Sequence, residues 1–213
     1  AADLEQGAWV RVRPDHPIAV QNMHYWASVD CGIERGTFDG EKWTALTWAR
    51  WTCGDADVGA YAHGVSDSAT ENGKLVSRLT LFDINDREIC TVLSKGVEFR
   101  TRDFEAWRAK AKGDGTKALD LFDFTFADPA AVGSRDIGPA LIGPLEDGGN
   151  ASAQGLMTME NAFPPAHPYM SGSGDHVNAT HLVEAAHQFL HLLEDGAALR
   201  VTGGEMRFTS YVE

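Results

Sequence analysis

The stretch HPYMSGSGDHVNATHLVEAAHQFLHLL, residues 167–193, joins a glycine-rich turn and an Asp-His pair to a strongly amphipathic helix pattern. Asn178 is a good N-cap residue for that helix. From Thr180 to Glu194, spaced at 100° per residue, one broad arc collects the apolar side chains of Leu182, Val183, Ala185, Ala186, Phe189, Leu190 and Leu193. The sequence therefore predicts a helix that packs this arc on a sheet.

The opposite arc of the same helix is polar and titratable. Its members are spaced by four, three and four residues, which places them in one stripe: Thr180, Glu184, His187 and His191. Such a stripe faces something other than the core. A polar helix face is most often a solvated one, so we expect His187 and His191 at the surface. Glu184 is the stronger candidate for chemistry.

The spacing Glu-x-x-His-x-x-x-His in this stripe also has a second interpretation. It puts Glu184, His187 and His191 on one helix face, where they are able to ligate a metal ion. Stripes of this kind on a single helix are common, and no further cluster of ligands is evident in the sequence. We therefore expect no metal site.

The turn before the helix is suited to binding a substrate. Residues 171–174, Ser-Gly-Ser-Gly, allow a close approach of the backbone, and unpaired N–H groups at a helix start are able to receive a developing oxyanion or a thioester carbonyl. Asp175 and His176 stand beside that position. The expected substrate contacts are Ser173, Gly174, Asn178 and His187.

Composition restricts the class of ligand. The chain has 213 residues, of which 43% are hydrophobic and 23% charged, so it can bury a core as one large domain or two small ones. Its 31 acidic and 18 basic residues give a formal net charge of −13. This charge disfavours nucleic acids and anionic membranes as partners and favours a small molecule.

The cysteines and the hydropathy pattern predict a cytoplasmic protein. Cys31, Cys53 and Cys90 are odd in number, far apart and without a CxxC pair, which argues against a disulfide framework and against structural zinc. They are expected to be reduced. The sequence shows no signal-peptide pattern and no apolar run near 18 residues.

An internal repeat organises the chain. The pattern Pro-x-His-Pro at residues 14–17 and 165–168 is followed by Asn22 in one case and Asn178 in the other, each ahead of a helix pattern. An Asp-Gly turn follows each helix, at residues 39–40 and 195–196, and then a strand pattern, at residues 43–52 and 199–212. Two copies of one supersecondary unit explain this order.

The first copy continues as a meander, and the second does not. Strand patterns at residues 57–68, 74–82 and 88–100 are followed by a short helix pattern at 104–112. We expect a first unit at 1–112, a connector at 113–150, and a second unit at 151–213 that opens with a strand near 156–159. The second unit is short at its C-terminal end, so either the chain is truncated or another chain, as in a homodimer, completes its sheet.

A central helix wrapped by a long antiparallel sheet, present twice in one chain, looks like an α+β double hotdog fold. Residues 174–189, GDHVNATHLVEAAHQF, resemble the motif of A-factor-synthase-type (AfsA) hotdog domains: an Asp-His pair, a small-residue turn and Leu-x-Glu-Ala-x-x-Gln. The residue sequence of this segment resembles AvrD-type proteins, the bacterial avirulence family linked to syringolide production, more closely still. In one departure, Asn178-Ala179 replaces the usual Pro-Gly.

The resemblance implies an enzyme of signal biosynthesis in secondary metabolism. Such an acyltransferase condenses a β-ketoacyl thioester, carried by coenzyme A or an acyl carrier protein, with a hydroxyl of a small sugar or triose phosphate, and it uses no cofactor. Glu184 or His176 would be the base, with Asp175 orienting the imidazole. In hotdog dehydratases a histidine of one unit works with a carboxylate of the other, so His24 and Asp30 are candidates for a mirrored role.

Two other functions remain compatible with the same residues. One is an acyl-thioester dehydratase or thioesterase, which needs only water or the substrate's own β-hydroxyl. The other is a noncatalytic hotdog protein that binds a small ligand. A fold alone does not separate these alternatives.

Overall fold

A computed structural model describes residues 12–38, 44–98, 106, 108–110, 123–134, 140–146, 148–157, 176–210 and 212. Within these residues the chain forms an antiparallel sheet and helices, which confirms the α+β class. The elements are α1 (Pro17–Glu34), β1 (Thr44–Cys53), β2 (Tyr61–Glu71), β3 (Lys74–Asp83), β4 (Glu88–Glu98), α2 (Ala179–Leu193) and β5 (Gly203–Arg207). Ala106 and residues 108–110 are also helical, inside the short helix predicted at 104–112.

The sheet has the strand order β2-β3-β4-β1-β5, and every pair is antiparallel. Strands β2 to β4 are the predicted meander. Glu71 pairs with Lys74, so β2 and β3 are joined by the two residues Asn72 and Gly73, both with positive φ. That conformation is typical of the tight turns whose twist matches the twist of the flanking strands.

Asp83 holds the turn between β3 and β4. Its buried carboxylate accepts hydrogen bonds from the backbone N–H groups of Gly59, Asn85 and Arg87 and from the guanidinium of Arg87. The hydrogen bond from Gly59 is the main cause that holds the pKa of Asp83 well below its ordinary value. The carboxylate is therefore charged in the folded protein and ties the β1–β2 connection to the turn between β3 and β4.

Strand β5 pairs with β1 and is shorter than the pattern at 199–212 predicts. The register runs from Trp48 opposite Arg207 to Thr52 opposite Gly203. At Gly204 a Cβ atom would lie 2.3 Å from the indole of Trp51, so only glycine leaves room for that ring.

Helix α1 begins five residues before Asn22, at Pro17, because proline has no N–H to lose at the first helical position. Its buried His24 reaches β4, where Nε2 lies 2.9 Å from Ser94 Oγ. Burial lowers the pKa of His24 to about 4. The imidazole is therefore neutral in the folded protein at neutral pH.

This neutral His24 is expected to make the protein sensitive to acid. The unfolded chain binds a proton near pH 6.5 and the folded chain near pH 4, so stability falls as pH drops through that window, by about 3 kcal/mol for this residue. We expect His24→Gln, which retains an amide donor for Ser94, to lose less unfolding free energy than the wild type between pH 7 and pH 4.5 in urea titrations. The exposed His63→Gln is the control, and equal losses in wild type and His24→Gln would contradict the assignment.

Contacts divide the chain into two compact units. One contains the described parts of Ala1–Asn22 and Lys117–Val201 together with Val212, and the other those of Met23–Thr116 and Thr202–Tyr211. The first unit has its hydrophobic core largely in the stretch that the sequence suggests as a connector: Ile18, Ala127, Val132, Ala140, Leu141 and Ile142. The chain there pairs irregularly, with Ala127 N–H donating to Ile142 O and Leu156 N–H to Leu141 O.

Around Leu156 the structure shows no regular strand. Only an isolated bridge joins Ile142 to Gly155, and Leu156 and Met157 lie outside strands. The glycines and prolines of this region limit regular pairing to single bridges. The rest of the strand predicted near 156–159 lies outside the described residues.

Cys31, Cys53 and Cys90 are free in the structure. Cys53 on β1 lies opposite Cys90 on β4. Among the described residues, no helix has both the length and the apolar content that a membrane crossing requires.

Candidate functional site

Helix α2 buries the side that the sequence predicts to face outward. Its buried residues are Thr180, Val183, Glu184, His187, Gln188 and His191. In contrast, Leu190 and Leu193 of the apolar arc are 40% and 41% exposed. The expectation of a solvated histidine stripe is therefore wrong, and the titratable groups lie in the interior of the first unit.

Helix α2 packs against the hydrophobic core of the first unit through apolar and polar contacts. Ala185, Phe189 and Leu192 pack against the hydrophobic core of that unit, and Val183 is buried, whereas Leu190 and Leu193 are exposed. On the inner side, Gln188 Oε1 accepts a hydrogen bond from the backbone N–H of Leu141 at 2.7 Å. The helix is thus attached to the core through a polar contact as well as an apolar one.

Glu184 is the most unusual group in this interior. It is fully buried, and its Oε1 accepts a hydrogen bond from Gln188 Nε2 at 3.0 Å. Its other oxygen, Oε2, is buried without a hydrogen-bond partner among the residues that the structure describes. Burial raises the pKa of Glu184 to about 7, against the smaller lowering effect of the Gln188 hydrogen bond. A carboxylate with such a pKa is poised to take up and release a proton near neutral pH.

Three histidines form a series of ring contacts in the same interior. The ring of His187 lies 4.3 Å from that of His16 and 4.8 Å from that of His191, centroid to centroid, both in edge-to-face geometry. Burial lowers the pKa of His16 to about 3 and that of His187 to about 4, with a further lowering contribution from neighbouring histidines. Both rings are therefore neutral. The 3.9 Å approach of His187 Nδ1 to Glu184 Oε2 is for that reason not an ion pair.

His16 is the residue of this group that sequence reasoning missed as a site residue. It belongs to the Pro-Asp-His-Pro motif at residues 14–17, which drew attention only as part of a repeat. Its position just before the start of α1 was the available signal, because that position directs a side chain towards unpaired backbone N–H groups. We call His16, Glu184, His187 and His191 the buried polar cluster.

Part of this cluster has the composition of a metal site. One ligand atom each from His16, Glu184 and His187 lie within 4.8 Å of one another. A zinc tetrahedron has ligand–ligand separations of about 3.4 Å, so binding would require the side chains to move together. In addition, His16 Nδ1 accepts a hydrogen bond from Ile18 N–H at 3.3 Å, which places the proton of the neutral ring on Nε2, the atom that would have to ligate.

The side chain of Asn178 caps the start of α2. Asn178 Oδ1 accepts hydrogen bonds from the backbone N–H groups of Thr180 and His181, at 3.0 and 3.2 Å. The N-cap prediction is confirmed. The same contacts occupy two of the N–H groups that the sequence suggested for binding an oxyanion, and they engage the side chain of Asn178, a predicted substrate contact.

The remaining candidates near α2 are only partly described. His176 is half-buried just before the helix, beside Val177, which forms an isolated bridge with Val212. The candidates Ser173, Gly174 and Asp175 lie outside the described residues. Their assignments stay predictions.

The two candidates on α1 have different environments. His24 is buried against Ser94, as described above, whereas Asp30 is exposed. Both belong to the second unit, and Glu184 belongs to the first. The proposed mirrored role of His24 and Asp30 stays a prediction.

Gly133 closes the buried polar cluster on one side. Its φ is +66°, and a Cβ atom there would lie 2.7 Å from both Cε1 and Nε2 of His191. We expect Gly133→Ala to lower the free energy of unfolding by about 3 kcal/mol, because the left-handed backbone and the clash with a buried ring both cost energy. Urea unfolding measures the effect. Gly148→Ala, in the same unit but with ordinary space for a Cβ, is the control, and an equal effect in the two variants would contradict the prediction.

Comparison of the chain with protein-family models, with curated proteins and with solved structures finds no match.

Proposed function

We propose that the protein is an enzyme that condenses a β-ketoacyl thioester with a hydroxyl of a small sugar or triose phosphate, with Glu184 as the base. One observation carries the proposal: a fully buried glutamate has an oxygen without a hydrogen-bond partner in the described chain. Burying such a group in its charged form costs several kcal/mol, so stability at neutral pH does not account for its presence. A carboxylate of this kind is typical of an active site.

The position of Glu184 in the motif supports the same proposal. It follows His176 of the Asp175-His176 pair by eight residues and precedes Gln188 by four, as in the hotdog motif that the sequence resembles. Gln188 holds one carboxylate oxygen, so the other is left to act on a ligand. The residues that would bind the substrate are the predicted contacts Ser173, Gly174, Asn178 and His187.

The chemical step would use Glu184 as a shuttle for one proton. Oε2 accepts the proton of the acceptor hydroxyl while the hydroxyl oxygen attacks the thioester carbon. The tetrahedral intermediate then expels the thiolate as the C–S bond breaks, and Glu184 returns the proton to the sulfur. The products are an ester and the free thiol of the carrier, either coenzyme A or an acyl carrier protein.

A double hotdog fold is part of the proposal. Helices α1 and α2 are each separated by nine residues from the next strand, residues 35–43 before β1 and residues 194–202 before β5. The two strands pair with each other antiparallel. This repeated order of helix and strand supports two copies of one supersecondary unit in the chain.

Mass spectrometry of the reaction products tests the function. The protein is incubated with a β-ketoacyl-coenzyme A, with and without a triose phosphate or a pentulose. A new ester that forms only when the acceptor is present supports the proposal. Loss of the thioester regardless of acceptor would indicate a thioesterase or dehydratase, and an unchanged thioester that nevertheless binds would indicate a noncatalytic ligand-binding protein.

A further inference from the structure

The hydrogen bonding of His16 defines where its proton lies. The backbone N–H of Ile18, in the first turn of α1, donates to His16 Nδ1 at 3.3 Å. A nitrogen that accepts a hydrogen bond carries no proton, so the neutral ring has its proton on Nε2. His16 therefore points an N–H donor, rather than a lone pair, away from the helix.

That donor is in the interior and unused. His16 Nε2 is buried and has no hydrogen-bond partner in the described part of the chain, and the same is true of Glu184 Oε2 and His187 Nδ1. One ring nitrogen of His16, one ring nitrogen of His187 and one carboxylate oxygen of Glu184 lie within 4.8 Å of one another. These three unpaired atoms are therefore able to hydrogen-bond a polar group that enters the cluster as the side chains move apart.

The protonation states complement each other. Burial keeps His16 neutral, with a pKa of about 3, whereas Glu184, with a pKa of about 7, is able to hold or release a proton. Asp15, next to His16, is ion-paired with Arg13 and Arg200, and its charge raises the pKa of His16 by less than burial lowers it. His187 is neutral, as described above, and it faces both groups.

We propose that His16 Nε2–H and Glu184 Oε2 act as a donor and base pair that enolises the β-ketoacyl group. This inference rests on the proposed function and adds a second activity, the abstraction of a proton from carbon. A carboxylate base paired with a neutral imidazole donor is a known arrangement for removing a proton next to a carbonyl group. It also supplies an oxyanion donor that the capped start of α2 does not.

The step balances without any further reactant. Glu184 Oε2 takes the proton from the carbon between the two carbonyl groups, and the electron pair of that C–H bond moves to form the enolate. The enolate oxygen is stabilised by the hydrogen bond from His16 Nε2–H. The hydrogen on the Glu184 carboxyl exchanges with solvent. Its return to carbon then restores the substrate with one hydrogen taken from solvent, and no acceptor is needed.

The alternative role for His16 is that of a metal ligand. The tautomer of its imidazole ring distinguishes a metal ligand from a hydrogen-bond donor. To ligate through Nε2, the ring would have to carry its proton on Nδ1 and lose the hydrogen bond from Ile18. ¹⁵N NMR of the histidine-labelled, substrate-free protein distinguishes the two tautomers. We expect the Nε2-protonated form, and a ring protonated on Nδ1, or zinc bound to wild type but not to His16→Asn, would overturn the proposal.

The activity is tested in D₂O by mass spectrometry of a β-ketoacyl-coenzyme A without an acceptor. His16→Asn is the informative variant, because Oδ1 of asparagine retains an acceptor for the Ile18 N–H while the Nε2–H donor is lost. We expect wild type to exchange the hydrogen faster than buffer alone and His16→Asn to be slower than wild type by about 10²-fold. His181→Asn, on α2 outside the buried polar cluster, is the control.

The outcomes separate the inference from the proposed function. Exchange at the buffer rate in wild type, or equal exchange in wild type and His16→Asn, would overturn the inference even if the ester forms. Exchange that is slower in both His16→Asn and Glu184→Gln than in wild type, without ester formation on adding the acceptor, would support the inference and contradict the transfer reaction. Equal thermal unfolding of wild type and His16→Asn excludes misfolding as the cause of a loss.

Discussion

Replacing Glu184 with glutamine is expected to lower kcat for ester formation by about 10²- to 10⁴-fold, the range typical of losing a general base. Glutamine has the same shape, and its amide oxygen can still accept the hydrogen bond from Gln188. The amide does not take up a proton at neutral pH, so the substitution removes the chemistry and retains the packing. Quantitative mass spectrometry of the ester gives the rate.

The pH dependence of the wild type provides a second readout of the same residue. Because burial raises the pKa of Glu184 to about 7, the rate should increase as pH rises through that value. Stability has the opposite dependence: a pKa above the ordinary value of 4.5 means that the contribution of this residue is complete below pH 4.5 and is lost as pH rises through 7. Glu184→Gln should therefore gain thermal stability relative to wild type above pH 7.

The exposed Glu194, at the end of α2, is the matched control for this substitution. Glu194→Gln should leave both the rate and its pH dependence unchanged. A rate in Glu184→Gln within about threefold of wild type would exclude this residue as the base, because even a weak general base contributes more than that.

Replacing Gln188 with leucine is expected to cost about 4 kcal/mol of unfolding free energy. The side chain is fully buried, and leucine would leave both the Leu141 N–H and Glu184 Oε1 without a partner. Each buried polar group left unsatisfied costs about 1–3 kcal/mol. The variant should also lose activity, because nothing else in the described chain donates to Glu184 Oε1.

Urea unfolding and the ester assay measure these two effects. Gln154→Leu is the control, since that exposed amide donates only to the exposed Glu146 and its loss should change stability by less than about 1 kcal/mol. Similar destabilisation by Gln188→Leu and Gln154→Leu would show that the buried amide does not anchor α2.

Local sequence was sufficient for the meander. Alternating apolar residues at 74–82 and the turn residues Asn72-Gly73 and Asp83–Asp86 specify strands and turns through short-range geometry. The same holds for α2, where Asn178 predicts the start of the helix within one residue. The start of α1 was misplaced because the proline at residue 17 begins that helix as well as ending the motif before it.

The burial of the helix faces required long-range information. Periodicity divides α2 into an apolar and a polar arc, but it does not show which arc meets the rest of the chain. That choice depends on residues far away in sequence, such as Leu141, whose backbone N–H needs the Gln188 side chain, and Gly133, which makes room for His191. The ring contact between His16 and His187, which are 171 positions apart in the sequence, also depends on long-range information.

The sequence by itself determined the α+β class, the strands of the meander, the cap of α2 and the choice of Glu184 as the residue to examine. Each of these follows from interactions between residues within a few positions of one another. Only the tertiary structure decided that the titratable stripe is buried, that His16 joins it, and that one oxygen of Glu184 has no partner in the described chain. Desolvation and hydrogen bonding depend on what surrounds a group in space, and that surrounding is assembled from distant parts of the chain.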